Sequence, residues 1–222
     1  MPRYTWEFSF IWEYRVVFLR GLLYTLEISF LSMALAIPLG LILGLGRRSE
    51  KRIFRYFSSI IVEFIRDTPL LVHLLWIFYC IPVLINISIN APLAAIAGLS
   101  VYTSVYLAEI FRAGIESIEK GQIEGARVLG MSHRQIIRRI VLPQAVRRMI
   151  PPIMNQFSAL IKYSSFASYL SIYELFKEIM NLSLMVFRPL EIYTTAAFVY
   201  FIPIFFCSMV SRKLELSLRK GR

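Results

Sequence analysis

The chain has 222 residues, of which 57% are hydrophobic, and a formal net charge of +11. Its mean hydropathy of +0.62 is too apolar for a soluble domain of this size, so the composition predicts a membrane protein. The length predicts one domain over residues 1–222. The basic residues cluster in alternate loops, which indicates membrane topology rather than binding to nucleic acid.

Five stretches are long and apolar enough to cross a bilayer as helices, which takes about 20 residues. They are residues 16–45, 56–85, 91–111, 149–173 and 193–210. Basic residues follow the first, third and fifth stretches: Arg47, Arg48, Lys51, Arg52 and Arg55; Arg112, Lys120, Arg127, Arg134, Arg138, Arg139, Arg147 and Arg148; and Arg212, Lys213, Arg219, Lys220 and Arg222. Positive charge marks the cytoplasmic side. We therefore expect an all-α membrane protein with about five crossings, its N-terminus outside and its C-terminus inside.

The first stretch carries one acidic residue and a pair of glycines four residues apart. Glu27 would be costly against lipid, so we expect it to face a helix interface or a cavity. Gly40 and Gly44 form a small-xxx-small pattern that lets another helix approach closely. Residues 1–15 contain charges and no cleavage site, which predicts an uncleaved first crossing.

The second stretch contains a proline after three charged or polar residues. Glu63 and Arg66 are spaced to pair on one helix face. Pro69 disfavours helical geometry at Thr68 and frees carbonyls at membrane depth. Residues 66–72 resemble the Arg-Gly-Thr-Pro-Leu-Leu-Val element of polar amino acid permeases, with Asp67 in place of Gly. The resemblance implies that Thr68 lines a substrate pocket; a position at the cytoplasmic interface is the alternative.

The loop after the third stretch predicts two helices separated by a turn. Residues 122–129 favour a short helix, and Gly130 stands where a left-handed C-terminal cap would fall. Ser132 and Gln135 have the spacing of a capping box that starts a second helix. Pro143 is expected to stop that helix.

This loop resembles the signature cytoplasmic loop of ABC importer permeases, which reads Glu-Ala-Ala, then Gly, then Leu-Pro. The matching residues are Glu124, Gly125, Ala126, Gly130, Leu142 and Pro143, and the loop spans about residues 113–148. The resemblance implies a coupling helix that docks on an ATPase subunit and passes its motion to the membrane helices. Gly125 replaces the family's alanine and loosens that helix slightly.

The fourth stretch is the most polar one, with Lys162 near its middle, where a lysine needs a partner, a cavity or a route to the interface. Its polar residues Asn155, Lys162, Tyr163 and Ser164 resemble the family's Asn-Gln and Lys-Asp-Thr-Ser elements, and the resemblance implies a substrate pathway. Tyr163 stands where the family has an Asp, and the resemblance implies that this Asp holds the substrate. A different substrate, an acidic group from a partner permease, and loss of the site in this half all remain open.

The sequence contains neither a phosphate-binding loop nor a hydrolase motif. The resemblance therefore implies a non-enzymatic permease of a polar amino acid importer, a multi-pass protein of the bacterial inner membrane. It binds no cofactor or metal, while ATP and Mg²⁺ belong to partner ATPase subunits. The other implied partners are a second permease, identical or paralogous, a periplasmic or lipid-anchored binding protein, and membrane lipid. The alternatives are a scaffold without transport, or an intramembrane enzyme that uses Glu27, Glu63, Asp67 and Lys162.

Overall fold

A computed structural model describes residues 4–220, which are helical apart from short links. The helices are α1 (Ser9–Glu13), α2 (Arg15–Arg47), α3 (Arg52–Arg66), α4 (Leu70–Leu75), α5 (Ile81–Ile85), α6 (Ala91–Glu116), α7 (Lys120–Val128), α8 (His133–Ile136), α9 (Leu142–Tyr163), α10 (Leu175–Val186) and α11 (Pro189–Lys220). A π-helical turn (Trp76–Cys80) joins α4 to α5, another (Ile137–Val141) joins α8 to α9, and a 3₁₀ segment (Ser164–Leu170) follows α9. Arg222 and the side chains of Arg219 and Lys220 lie outside the described part.

Among the described residues, three helices are long and apolar enough to cross a membrane: α2, α6 and Pro189–Leu218 within α11. A fourth arises if α3 and the continuous segment Leu70–Ile85 count as one broken span, because they meet at 104°. The predicted stretch 56–85 is therefore broken at the position where Pro69 was expected to disfavour helical geometry. Pro69 has no N–H to donate to the carbonyl of Ile65, and that carbonyl lies 3.1 Å from Nε2 of His73. The Thr68 hydroxyl donates to the carbonyl of Phe64.

The remaining predicted span, 149–173, corresponds to α9 and the 3₁₀ segment. The α9 helix begins seven residues earlier than predicted, at Leu142, and is amphipathic rather than uniformly apolar. It packs on α6, where Met149 faces Gly114, and on α11, where the Ser211 hydroxyl donates to the carbonyl of Pro151 over 3.1 Å. Protein neighbours thus cover the flank of α9 that carries these contacts.

The close packing of α2 on α6 depends on the two glycines of the first stretch. A Cβ atom at Gly40 would lie 2.8 Å from the carbonyl oxygen of Ser104, and one at Gly44 would lie 2.8 Å from that of Ala108. Real Cβ atoms do not approach backbone oxygens so closely. The predicted small-xxx-small contact is confirmed.

Ion pairs join the ends of α2, α3 and α6. Arg47, the last residue of α2, pairs with Glu109 of α6 and lies 3.7 Å from Glu63 of α3. The predicted pair between Glu63 and Arg66 does not form, because Arg66 turns to Asp67 at 3.5 Å and Glu63 faces Arg47. Glu63 thus contacts Arg47 on another helix instead of Arg66 on its own helix.

A fully buried carboxylate holds α2, α10 and α11 together at the start of α10. Glu174 caps α10 by accepting from the backbone N–H groups of Phe176 and Lys177, both at 2.9 Å. Its Oε2 also accepts from the hydroxyls of Thr25 (3.3 Å) and Tyr200 (3.1 Å). The sequence predicts an amphipathic segment over 174–190, and α10 is amphipathic, but this buried connection was missed.

A second group of contacts fastens the start of the chain to α11. The Glu191 carboxylate, which is fully buried, accepts from the Tyr4 hydroxyl, from the backbone N–H of Glu7 at 3.1 Å, and from Arg188 at 3.2 Å. Arg188 also donates to the carbonyl of Thr5 at 3.1 Å. We call this set the N-terminal clasp.

Candidate functional site

The most sharply defined local structure is a helical elbow, residues 120–136, that contains α7, a turn and α8. Gly130 has a φ of +74°, in the left-handed region. The N–H of Gly130 donates to the carbonyl of Arg127 at 3.0 Å, and the N–H of Met131 donates to the carbonyl of Ala126 at 3.1 Å. These two bonds form a Schellman motif. The predicted glycine cap is confirmed.

The second half of the elbow starts with the predicted capping box. The backbone N–H of Gln135 donates to the Ser132 hydroxyl at 3.4 Å, and the N–H of Ser132 donates to the Gln135 side chain at 2.8 Å. Each residue satisfies an N–H group that the first turn of a helix leaves without a partner.

The prediction that Pro143 stops the second helix is wrong. The helix passes from α8 through the π-helical turn into α9, and Pro143 lies in the first turn of α9. In the π-helical turn the N–H of Leu142 donates to the carbonyl of Ile137, five residues back. This change of hydrogen-bonding register places Pro143 where a missing N–H does little harm. The elbow is therefore continuous with α9.

One side-chain hydrogen bond joins the elbow to α9, and a second joins α9 to the residues just before the elbow. The Gln144 amide of α9 donates to the Gln122 side chain of α7 at 2.7 Å, and Arg148 donates to the carbonyl of Ser117. Ala126 and Ile136 point inward and are buried. Gln122 and Gln144 thus form a direct side-chain contact between α7 and α9.

The outer surface of the elbow is open and partly apolar. Glu124, Gly125 and Gly130 are exposed, and the side chains of Val128 and Leu129 are 89% and 82% exposed. Two adjacent apolar side chains on a tip that is otherwise polar form a small patch suited to contact with another protein. Sequence reasoning missed these two residues, although an apolar pair next to the Gly cap was a signal that could have found them.

A second set of candidate residues surrounds three tyrosines on α6 and α9, which we call the tyrosine cluster: Tyr102, Tyr106 and Tyr163. The rings of Tyr102 and Tyr163 are 5.7 Å apart and nearly perpendicular, and the hydroxyls of Tyr102 and Tyr106 are 3.0 Å apart. The ring of His73 lies 6.1 Å from that of Tyr102, and its Nε2 is 3.1 Å from the carbonyl of Ile65. The cluster therefore connects α9, through α6 and α4, to the break beside Thr68. All three tyrosines are half-buried.

The other predicted pathway residues occupy different faces. Asn155 and Lys162 are exposed and two helical turns apart, so they lie on one side of α9. Ser164 is buried and donates to the carbonyl of Ile161 at 2.8 Å, and the Thr68 hydroxyl is bonded to Phe64. Tyr163 is thus brought to Tyr102, whereas the Ser164 hydroxyl already has a hydrogen-bond partner.

Within residues 4–220 no group of three or more His, Cys, Asp or Glu side chains is arranged to hold a metal ion. Of the four residues of the enzymatic alternative, Glu63 and Asp67 contact Arg47 and Arg66. Glu27 lies on α2, beside a cavity, and Lys162 on α9. The structure offers these four residues no shared acid–base arrangement.

A family model described as "Binding-protein-dependent transport system inner membrane component" matches residues 36–215. The chain is 39% identical to the L-cystine transport system permease protein of Bacillus subtilis strain 168, over 89% of this chain and 85% of the relative. It is 32% identical to the glutamine transport system permease protein of Escherichia coli strain K12, over 96% of this chain and 98% of the relative. A crystal structure of an amino acid ABC transporter with histidines superposes with a TM-score of 0.88 at 32% identity, covering 98% of this chain and 100% of that one. A methionine ABC transporter in an inward-facing conformation shares the fold, with a TM-score of 0.75 at 21% identity. The superposition covers 96% of this chain and 99% of that one.

Proposed function

The chain belongs to the family of binding-protein-dependent inner membrane transport components, and we propose that it forms one half of the pathway of an ATP-driven importer for polar amino acids. It is the permease component of an ABC amino acid importer and not the ATPase, and it is a multi-pass protein of the inner membrane. Like its family it binds no cofactor itself, and its partners include an ATPase and a binding protein.

The elbow is the observation that carries the proposed mechanism. Its Schellman turn and capping box give it a fixed shape, and its exposed apolar tip offers a contact for the ATPase. Within the matching motif, Glu124 and Gly125 lie on the exposed surface of α7, Ala126 and Gly130 set the turn, and Leu142 and Pro143 join the elbow to α9. ATP-driven movement of α7 would pull on α9 through Gln122 and Gln144. The coupling loop of about 113–148 is thus the part of this chain that receives the ATP-driven motion of the ATPase.

The proposed topology has five crossings, with the N-terminus outside and the C-terminus inside. The basic residues that follow α2, α6 and α11 support it, because they would all lie on the cytoplasmic side. The fourth crossing is α9, whose polar side chains would be costly in lipid and are partly covered by α6 and α11. The broken pair α3 and Leu70–Ile85 supplies the second crossing, with α3 at the cytoplasmic interface.

The substrate pathway follows the open side of α9. Asn155 and Lys162 present polar groups along it. Tyr163 belongs to the tyrosine cluster, Ser164 follows it in the chain, and Thr68 lies at the helix break. Tyr163 supplies an aromatic face and a hydroxyl at the position where the family has a carboxylate. A second permease, identical or paralogous, completes the pathway on the side that this chain leaves open, and a periplasmic or lipid-anchored binding protein delivers the amino acid.

Transport by the reconstituted complex tests this function. The permease is co-purified with its ATPase, placed in proteoliposomes with ATP inside, and supplied with its binding protein and labelled glutamine or cystine. Accumulation of label that requires ATP is the expected result. If the ATPase binds but no polar amino acid accumulates, the chain is a scaffold without transport. If the ATPase does not co-purify with the permease, the coupling role of the elbow is contradicted.

A further inference from the structure

A cavity lies beside the first half of α2, away from the tyrosine cluster and the elbow. It has a volume of about 760 Å³ and is bounded by α2, the start of α6, and the link between the 3₁₀ segment and α10. Its wall is mostly apolar and includes Tyr24, Pro92 and Tyr173. A concave apolar site with few polar groups is the usual form of a small-molecule pocket, and the volume is within the usual range.

Two opposite charges face this cavity from the same helix. Arg20 and Glu27 are seven residues apart on α2, so they lie on one face, separated by about 10 Å along the axis. Among the described residues neither side chain makes a salt bridge or a hydrogen bond, although Arg20 lies close enough to Glu178 of α10 to act on its carboxyl through space. Both side chains are exposed to the cavity rather than paired.

Unpaired charges on a membrane-crossing helix are costly, so they indicate a ligand that satisfies both. A guanidinium binds a carboxylate through two parallel hydrogen bonds, and a carboxylate accepts from an ammonium group. An Arg and a Glu that line the same cavity from one helix face therefore complement the two charges of a zwitterion. The apolar wall between them can contact the ligand's side chain without selecting it strongly.

We propose that this cavity is a vestibule that binds the zwitterionic backbone of a free amino acid before it reaches the central pathway. Arg20 takes the α-carboxylate and Glu27 takes the α-ammonium group. The inference rests on the proposed function and on the proposed topology, in which the start of α2 is on the outer side, where a binding protein would release its cargo. It adds a second binding site, distinct from the residues of α9.

A single-cysteine protection experiment tests the vestibule. Cys80 and Cys207 are replaced by Ala, and Leu23→Cys places a thiol in the cavity wall. The complex with its ATPase is reconstituted in phosphatidylcholine vesicles and labelled with a membrane-impermeant maleimide at increasing concentrations of L-glutamine. We expect glutamine to slow labelling. Glu27→Gln should raise the half-protecting concentration about tenfold or more, the effect of losing one charged hydrogen-bonding partner.

Glu27→Asp and Glu13→Gln are the matched controls. The first keeps the charge and should retain most of the protection, and the second removes an exposed carboxylate of α1 outside the cavity and should change nothing. Equal protection in Glu27→Gln and the parent protein would overturn the proposal. So would protection by phosphatidylethanolamine vesicles but not by glutamine, since a lipid headgroup would then be the occupant.

The vestibule and the proposed function can fail separately. If the complex accumulates glutamine but glutamine does not slow labelling at Leu23→Cys, the vestibule is wrong and the transport function stands. If the complex accumulates no amino acid at all, the transport function fails, and the vestibule fails with it. A variant that no longer co-purifies with the ATPase is replaced by Arg20→Gln, for which the same loss of protection is expected.

Discussion

Replacing Gly130 with Ala should weaken the elbow by an amount that the structure allows us to calculate. A Cβ atom at Gly130 would meet nothing within 4 Å, so the substitution creates no clash. Its cost is conformational, because a φ of +74° costs an L-residue about 1–2 kcal/mol. That cost lowers the population of the correctly shaped elbow, relative to alternatives, by a factor of roughly 5–30. ATP hydrolysis should continue while fewer hydrolysis events lead to uptake.

Gly125→Ala is a control with the same change in atoms. Gly125 is also exposed, and its Cβ would also meet nothing within 4 Å, but it lies inside α7 with ordinary helical φ. Alanine is favoured there by about 0.8–1.0 kcal/mol in helix propensity. The two substitutions therefore act on the same elbow in opposite directions, and Gly130→Asn, which tolerates the left-handed region better, should fall between Gly130→Ala and the parent protein.

The assay measures ATP hydrolysis and amino acid uptake in the same proteoliposomes and takes their ratio. Gly130→Ala should lower uptake per ATP several-fold at unchanged membrane insertion, and Gly125→Ala should leave the ratio equal or improved. The reasoning is refuted if Gly130→Ala couples as well as the parent, or if Gly125→Ala impairs coupling to the same extent.

Three further predictions concern the scaffold around these sites. Gly40→Ala should lower the stability of the detergent-solubilised protein by about 1–3 kcal/mol, because its Cβ would lie 2.8 Å from a rigid backbone oxygen. Gly121→Ala, whose Cβ would meet open space, should not lower it. Equal melting temperatures for the two variants would contradict this prediction. Ser132→Ala should cost about 0.5–2 kcal/mol of local stability, measured as faster hydrogen exchange at the first turn of α8, and unchanged exchange would argue against the capping box. Burial raises the pKa of the Glu174 carboxyl from 4.5 to about 7, so between these pH values the folded state keeps a proton that the unfolded state releases. The free energy of unfolding should therefore fall as pH rises from about 4.5 to about 7. Glu174→Gln should remove this pH dependence in thermal melts.

Features that depend on neighbouring residues were predictable from sequence. Gly130 and the pair Ser132 and Gln135 act within one or two helical turns, so their residue types determine the turn and the cap. The apolar lengths of α2, α6 and α11 follow from hydropathy in the same way. Gly40 and Gly44 indicated a close contact, although only the structure identifies α6 as the partner.

Features that depend on residues far apart in sequence were not predictable. Glu174 accepts from a hydroxyl on Thr25, 149 positions earlier, and no local pattern identifies that partner. The expected stop at Pro143 failed because a π-helical turn just before it changes the hydrogen-bonding register, an adjustment that helix propensities do not include. The tyrosine cluster likewise exists only because α6 and α9 meet.

The N-terminal clasp has a consequence for how the protein is made. Tyr4 is synthesised 187 positions before its partner Glu191. During synthesis at about 5–20 residues per second, the aromatic segment around Tyr4 therefore precedes the segment that holds it by roughly ten seconds or more. A nascent chain halted before α11 would lack Glu191, so the segment around Tyr4 would have no clasp to hold it.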